Sequence, residues 1–216
     1  MEGAPHQSKR DAILTHHVSR FRLFCFSCLF FGAFEVFDHY QAGAIVGALE
    51  SDFIHQGADD LQAAHTRFTR SLKICQDAQD KRGEAITLWW LGATDAKRGD
   101  HELAFKRLSD ALRTLQAFEM NAEALDCLED YARLLETARQ GEAAVRIYAA
   151  TATIRETLSI PRSTRREAEM HSRVEAARAD LGDRNFETAW SIGRTWSRNE
   201  AIEHALAATA LPTVTA

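Results

Sequence analysis

Apolar and small residues recur at one fixed separation through the middle of this chain. That recurrence restricts the fold more tightly than any other feature, because self-similarity at a constant period of a few tens of positions marks a repeat array. Residues 85–117 read AITLWWLGATDAKRGDHELAFKRLSDALRTLQA. Leu88, Leu91 and Gly92 share one helical face, and Arg98-Gly99-Asp100 makes a turn. Ala104, Leu108, Ala111, Leu112 and Leu115 then share a second face at spacings of three and four. Two amphipathic helices joined by a short turn form a helical hairpin. Forward along the chain, Leu88 is matched by Leu128, Gly92 by Ala132 and Ala104 by Ala144; backward, Ala104 is matched by Ala64, Leu108 by Phe68 and Leu112 by Leu72. Subtraction gives 40 each time. The small residues, Gly92 and Ala132 in first helices and Ala64, Ala104 and Ala144 in second ones, fall where the two helices of a hairpin approach closely.

This pattern divides the chain into an N-terminal extension (1–40), a repeat domain (41–209) and a frayed tail (210–216). The predicted helix pairs are 41–55 with 59–78, 84–98 with 101–117, and 121–138 with 142–158. Ser159-Ile160-Pro161 interrupts the array, since proline and the residue before it resist helix. A fourth, irregular pair follows at 163–181 and 184–195 around Gly182-Asp183. A closing helix starts at Ser197, whose hydroxyl is placed to cap the next turn with Glu200 three residues on.

Composition agrees with an all-α chain. Only 3 prolines occur in 216 residues, and Pro5 and Pro212 lie near the ends. The remainder is rich in Ala, Leu, Glu and Arg, which lose little freedom in a helix. The net charge of −5 is mild and the two signs are mixed, so neither nucleic acid nor an anionic membrane is indicated as a partner. Cys25, Cys28, Cys75 and Cys127 are widely spread, which reads as reduced thiols in a cytoplasmic protein rather than a disulfide framework. The uncharged run at 23–34 is too short to span a bilayer. Glu35 and Asp38 follow it at once, without a clear small-x-small cleavage site.

Chemistry-bearing motifs are sparse. Cys25 and Cys28 have C-x-x-C spacing but lack a second ligand pair, so they read as small hydrophobes in an apolar helix. No phosphate-binding loop, nucleophile elbow or H-E-x-x-H pattern occurs. The chain is therefore expected to be non-catalytic, with no cofactor and no metal. Two features suggest binding instead. Trp89 and Trp90 are adjacent, so their side chains point about 100° apart on a helix. In one reading at least one indole lies near a concave surface as a binding anchor; in the other both pack between neighbouring helices. Arg162, Arg165, Arg166 and Arg173 form a basic patch after Pro161, interleaved with Glu167, Glu169 and Glu175. That patch is either a solvated face laced with ion pairs such as Arg165 to Glu169, or the dock for an anionic partner segment.

The 85–117 unit resembles the tetratricopeptide repeat, with Leu88, Leu91-Gly92, Ala104, Leu108 and Ala111 in that family's places. Asp95 stands where the family usually has an aromatic, and Gln116 where a proline often ends the unit. The period of 40 exceeds the family's usual 34. Residues 189–206, AWSIGRTWSRNEAIEHAL, are similar to the tail of large bacterial regulators that join a signal-transduction ATPase to such repeats and often to a LuxR-type DNA-binding domain. Ala189, Trp190, Gly193, Arg194, Ser197, Glu200, Ala201, Ile202, Ala205 and Leu206 match that tail in order. The resemblance implies a right-handed solenoid of antiparallel helical hairpins, and a protein-interaction scaffold that holds a protein or peptide in a concave groove. Its alternative is a sensor module binding a small effector in the same groove. Trp89, Trp90, Asp95, Arg162, Arg165 and Arg166 are the candidate partner-binding residues.

Residues 1–40 carry seven phenylalanines between Phe21 and Phe37, apolar nearly all round a helix. Repeat arrays need a capped end to stay soluble, so this segment is expected to fold over the first hairpin. Deleting residues 1–40 is then expected to lower the melting temperature or cause aggregation. A truncated protein that is equally stable and more soluble disproves the cap.

Overall fold

The computed structural model describes residues 58–208, and among them it contains eight α-helices and no strand. They are α1 (Ala58–Asp77), α2 (Lys81–Arg98), α3 (His101–Ala117), α4 (Asn121–Thr137), α5 (Gly141–Leu158), α6 (Thr164–Leu181), α7 (Asp183–Gly193) and α8 (Arg198–Ala208). These bounds stay within one helical turn of the sequence-derived ones. The expected helix at 41–55, the Phe-rich extension, the Cys25–Cys28 pair and the tail lie outside the described residues. No described helix is long and apolar enough to cross a membrane.

One turn, used repeatedly, sets the register. Gln79, Gly99, Glu119, Arg139 and Ser159 all have positive φ and follow one another at a constant interval along the chain. At each, the amide bonds back three residues, and the next amide bonds back five. For the first turn these are Gln79 N to Gln76 O at 3.1 Å and Asp80 N to Cys75 O at 2.8 Å; for the fourth, Arg139 N to Glu136 O at 3.0 Å and Gln140 N to Leu135 O at 2.9 Å. This pair of bonds satisfies carbonyls that the helix end otherwise leaves unpaired. In the first four turns the residue after the left-handed one also starts the next helix, its carbonyl accepting from Glu84, Ala104, Ala124 or Ala144. The sequence period is thus two equal helix-plus-turn units. At the fifth turn both back-bonds form, from Ser159 and Ile160, but the Ile160 carbonyl does not accept the helix-opening amide bond seen at the first four turns. α6 starts three residues late, capped by the Ser163 side chain.

From α1 to α7 each helix packs on its successor, and next-but-one contacts join α2 to α4 and α5 to α7. Most positions that the periodicity marks lie in the core: Ala64, Phe68, Leu91, Ala104, Leu108, Ala111, Leu112, Leu115, Leu128, Ala132 and Ala144 are buried, whereas Leu72 and Leu88 are half-buried. Gly92 lets α2 and α3 meet, since a Cβ there lies 2.9 Å from the Leu108 side chain. The motif residues at 189–206 are packing residues too. A Cβ on Gly193 falls 2.0 Å from the Arg146 carbonyl oxygen, so α7 presses directly on the backbone of α5. Ser197 and Glu200 cap each other reciprocally, Ser197 N donating to Glu200 Oε2 at 2.7 Å and Glu200 N to Ser197 Oγ at 3.3 Å. Ala201, Ile202 and Ala205 are buried where α8 meets α3, α4 and α5.

The turns yield a direct stability test. For a residue with a side chain, holding the left-handed conformation that glycine adopts freely costs about 1 kcal/mol or more. Glu119→Gly and Arg139→Gly are expected to raise stability by about 0.5–1 kcal/mol in urea unfolding, and Gly99→Ala to lower it by a similar amount. Unchanged midpoints for all three refute the role given to these turns.

Candidate functional site

Two charged residues occupy core register positions. The residue that lies five before the second amide of each turn is Cys75, Asp95, Leu115, Leu135 or Arg155. All five are buried. Leucine or cysteine fills this position without difficulty. Asp95 and Arg155 require partners, because an unpaired buried charge is strongly destabilising.

Asp95 finds them on α3 and α1. Arg107 pairs with Asp95 Oδ2, and His65 Nε2 lies 3.5 Å from Oδ1. Burial pushes the Asp95 carboxyl up, opposed by the Arg107 guanidinium. Burial also holds His65 below its ordinary value, against the pull of Asp95. This cluster joins three consecutive helices at one end of the described array.

Arg155 belongs to a larger network centred on α4. Its Nε donates to Glu129 Oε1 at 2.9 Å and its Nη2 to Asp126 Oδ1 at 2.6 Å. Arg162 Nε donates to the same Glu129 oxygen at 2.8 Å, and Arg162 Nη1 to Glu167 at 3.1 Å. Arg166 Nη2 donates to Asp130 Oδ1 at 3.1 Å and to the Asp126 backbone oxygen at 3.2 Å. Arg133 pairs with Asp130 from the same helix, and Arg173 with Glu136 at 3.0 Å. Burial pushes Glu129 up against the attraction of Arg155 and Arg162. Burial acts on Asp130 in the same sense, but Arg133, Arg166 and the hydrogen bond from Trp89 outweigh it, so its pKa lies below the ordinary 3.8.

Trp89 and Trp90 are inside. Their relative exposures are 3% and 7%, so neither indole lies on an open groove. Trp89 Nε1 donates to Asp130 Oδ2 at 2.7 Å. The two indoles stack at 4.7 Å, and Trp90 stacks on Phe68 at 6.2 Å. The pair therefore packs between neighbouring helices, the second of the two readings of these residues. Glu129-Asp130 occupy in α4 the register that Trp89-Trp90 occupy in α2, two units earlier. The Arg166 guanidinium lies 5.9 Å from the Trp89 ring, within cation–π range.

The basic patch is divided. Arg165 keeps the expected surface pairing with Glu169 at 3.6 Å. Arg162 and Arg166 instead reach an anionic segment belonging to the chain itself, the acid face of α4. Sequence reasoning does not single out Asp126, Glu129, Asp130 or Arg155. The one available signal is Arg155, a charged residue at a position that the repeating register assigns to the core.

Two concavities flank this network. Between α4 and α6, Glu129, Asp130, Arg133, Arg166, Glu169, Met170 and Arg173 leave about 10 Å³, room for about one water. On the other side, the end of α5, the Ser159–Arg162 linker and the start of α6 border an open groove of about 460 Å³, with Ala152, Glu156, Ile160, Pro161 and Glu167 in its walls. Leu158, 47% exposed, lies beside it in the chain. Cys75 and Cys127 are free and buried. Among the described residues no three of His, Cys, Asp and Glu cluster as metal ligands do.

No family model, curated protein or solved structure matches this chain.

The network makes a pH prediction. The folded pKa of Asp130 lies below the ordinary 3.8, so the stability it adds is fully present above that value and is lost as the pH falls below it. Asp130→Asn is expected to lower stability near neutral pH and to flatten the decline below pH 3.8, measured by urea titration across pH. Glu129→Ala, which leaves Arg155 with Asp126 and Arg162 with Glu167 as their remaining acids, is expected to cost about 3 kcal/mol.

Proposed function

We propose that this chain is a non-catalytic protein-interaction scaffold of tetratricopeptide type, the repeat module of a bacterial regulator working in the cytoplasm. In this reading α1–α5 form part of a right-handed solenoid of antiparallel hairpins, with α6 and α7 as an irregular fourth pair and α8 closing the array. The regular pitch of the turns supports it, because units that share faces with their neighbours build extended surfaces rather than enclosed sites.

The observation that carries the scaffold reading is the open groove at the α5–α6 break. A small-effector sensor needs an enclosed pocket with a few converging polar groups. The larger concavity is open along one side, and its walls combine Ala152, Ile160 and Pro161 with Glu156 and Glu167. That mixture suits an extended protein segment. The other concavity is filled by its own side chains. The ionisable groups of the network are committed to one another, which suits architecture better than proton transfer.

A photo-reactive residue at Leu158 in the full chain is expected to capture one protein partner in cells. Glu156→Lys with Ile160→Asp is expected to abolish the capture while leaving the melting temperature within about 2 °C. A thermal shift by small metabolites with no cross-linked protein favours the sensor. Turnover of a substrate by the purified chain overturns both.

A further inference from the structure

α6 is held unlike the other long helices. Of its 18 residues only Met170 and Ala177 are buried. Its C-terminal half is anchored by apolar contact: Val174, Ala177 and Leu181 pack with Val145 and Phe186. Its N-terminal half has Met170 alone. What holds that half and the linker before it down is charge, through Arg162 of the linker to Glu129, Arg166 to Asp126 and Asp130, and Arg173 at mid-helix to Glu136. Arg166 and Arg173 are two helical turns apart in sequence and therefore share a face.

The face they cover has an excess of negative charge of its own. Asp126, Glu129, Asp130 and Glu136 project from α4, and Arg133 and Arg155 offset part of that charge from outside α6. The repeat does not require those acids. At the same register α2 carries Trp89-Trp90 and α5 carries Ala149-Ala150, all buried. A buried ionic cluster in place of apolar packing is generally neutral or costly for stability, so its presence asks for another role. The docked state is also imperfect. Arg155 and Arg162 crowd one oxygen of Glu129. The Arg162 side chain is 7% exposed, and its Nη2 is buried without a hydrogen-bond partner. Pro161 precedes this half of the helix, and the turn before it closes α5 through Ser159 and Ile160 without opening α6, so 161–173 can lift without unwinding α5.

We propose that the acid face of α4, with Trp89 at its edge, is a recognition surface for an arginine-bearing helix, and that the N-terminal half of α6 is its intramolecular occupant. A partner helix with arginines two turns apart displaces it, placing guanidinium groups on Asp126, Glu129 and Asp130 and one over the Trp89 ring. The partner rests on the scaffold reading; the test does not.

The probe is a labelled peptide with the sequence of residues 159–182, titrated against the full chain by fluorescence anisotropy. Wild type is expected to bind it weakly, because the face is occupied. Arg162→Glu with Arg166→Glu frees the face and is expected to tighten binding at least about tenfold. The gain is expected to fall steeply between about 0.05 and 0.5 M salt. It is also expected to vanish for a peptide whose arginines matching Arg162, Arg166 and Arg173 are glutamine. If that variant does not fold, hydrogen exchange on wild type decides: rising salt is expected to speed exchange in 164–173 well before 174–181 and α4. A folded variant that gains no binding, a glutamine peptide that binds equally, or uniform exchange across α6 overturns the proposal. Each of these outcomes leaves the Leu158 capture untouched, so the two readings fail separately.

Discussion

The left-handed turn that recurs at Gln79, Gly99, Glu119, Arg139 and Ser159 governs the described array. It closes one helix, and in four of the five cases its next residue opens another, so there is no slack between units. Helix length, the face each helix presents and the identity of the core positions all follow from it. Only one of the five positions is glycine. The other four carry a conformational cost that tertiary packing must cover, so the turn is uniform in geometry although its sequence is not. At the fifth turn, beside Pro161, the next helix does not open from the residue after the left-handed one, so the pitch fails, and the groove and the basic stretch begin at that point.

Much of this fold is legible in the sequence because it rests on repeated, local signals. Helix bounds follow from the spacing of Leu and Ala, the close α2–α3 approach from Gly92, and the start of α8 from the reciprocal pair Ser197 and Glu200. The half-period escapes a reading based on side chains. The residues at 79, 99, 119, 139 and 159 share a backbone conformation and no chemistry, so they leave no motif.

The site is less legible, for a different reason. Trp89 and Trp90 look like surface anchors when α2 is read alone, and become interior once α4 supplies Asp130 as acceptor and α1 supplies Phe68 as stacking partner. Arg162 and Arg166 look like a patch awaiting an acid; the acid is on α4, far back along the chain at Glu129 and Asp130. Single-helix patterns carry no information about such long-range pairings. Asp95 and Arg155 are the exceptions in principle, since a charge at a core register position announces a buried partner even when it does not say which one.

Uniform turns also constrain how such a chain can change in length. A gain or loss of two helix-plus-turn units keeps both the turns and the sequence period. A gain or loss of one unit preserves each turn yet shifts every later helix by half the sequence period, so pairs such as Trp89-Trp90 and Glu129-Asp130 meet different neighbours. Any other length breaks the turn itself. Variation in this array is therefore quantised.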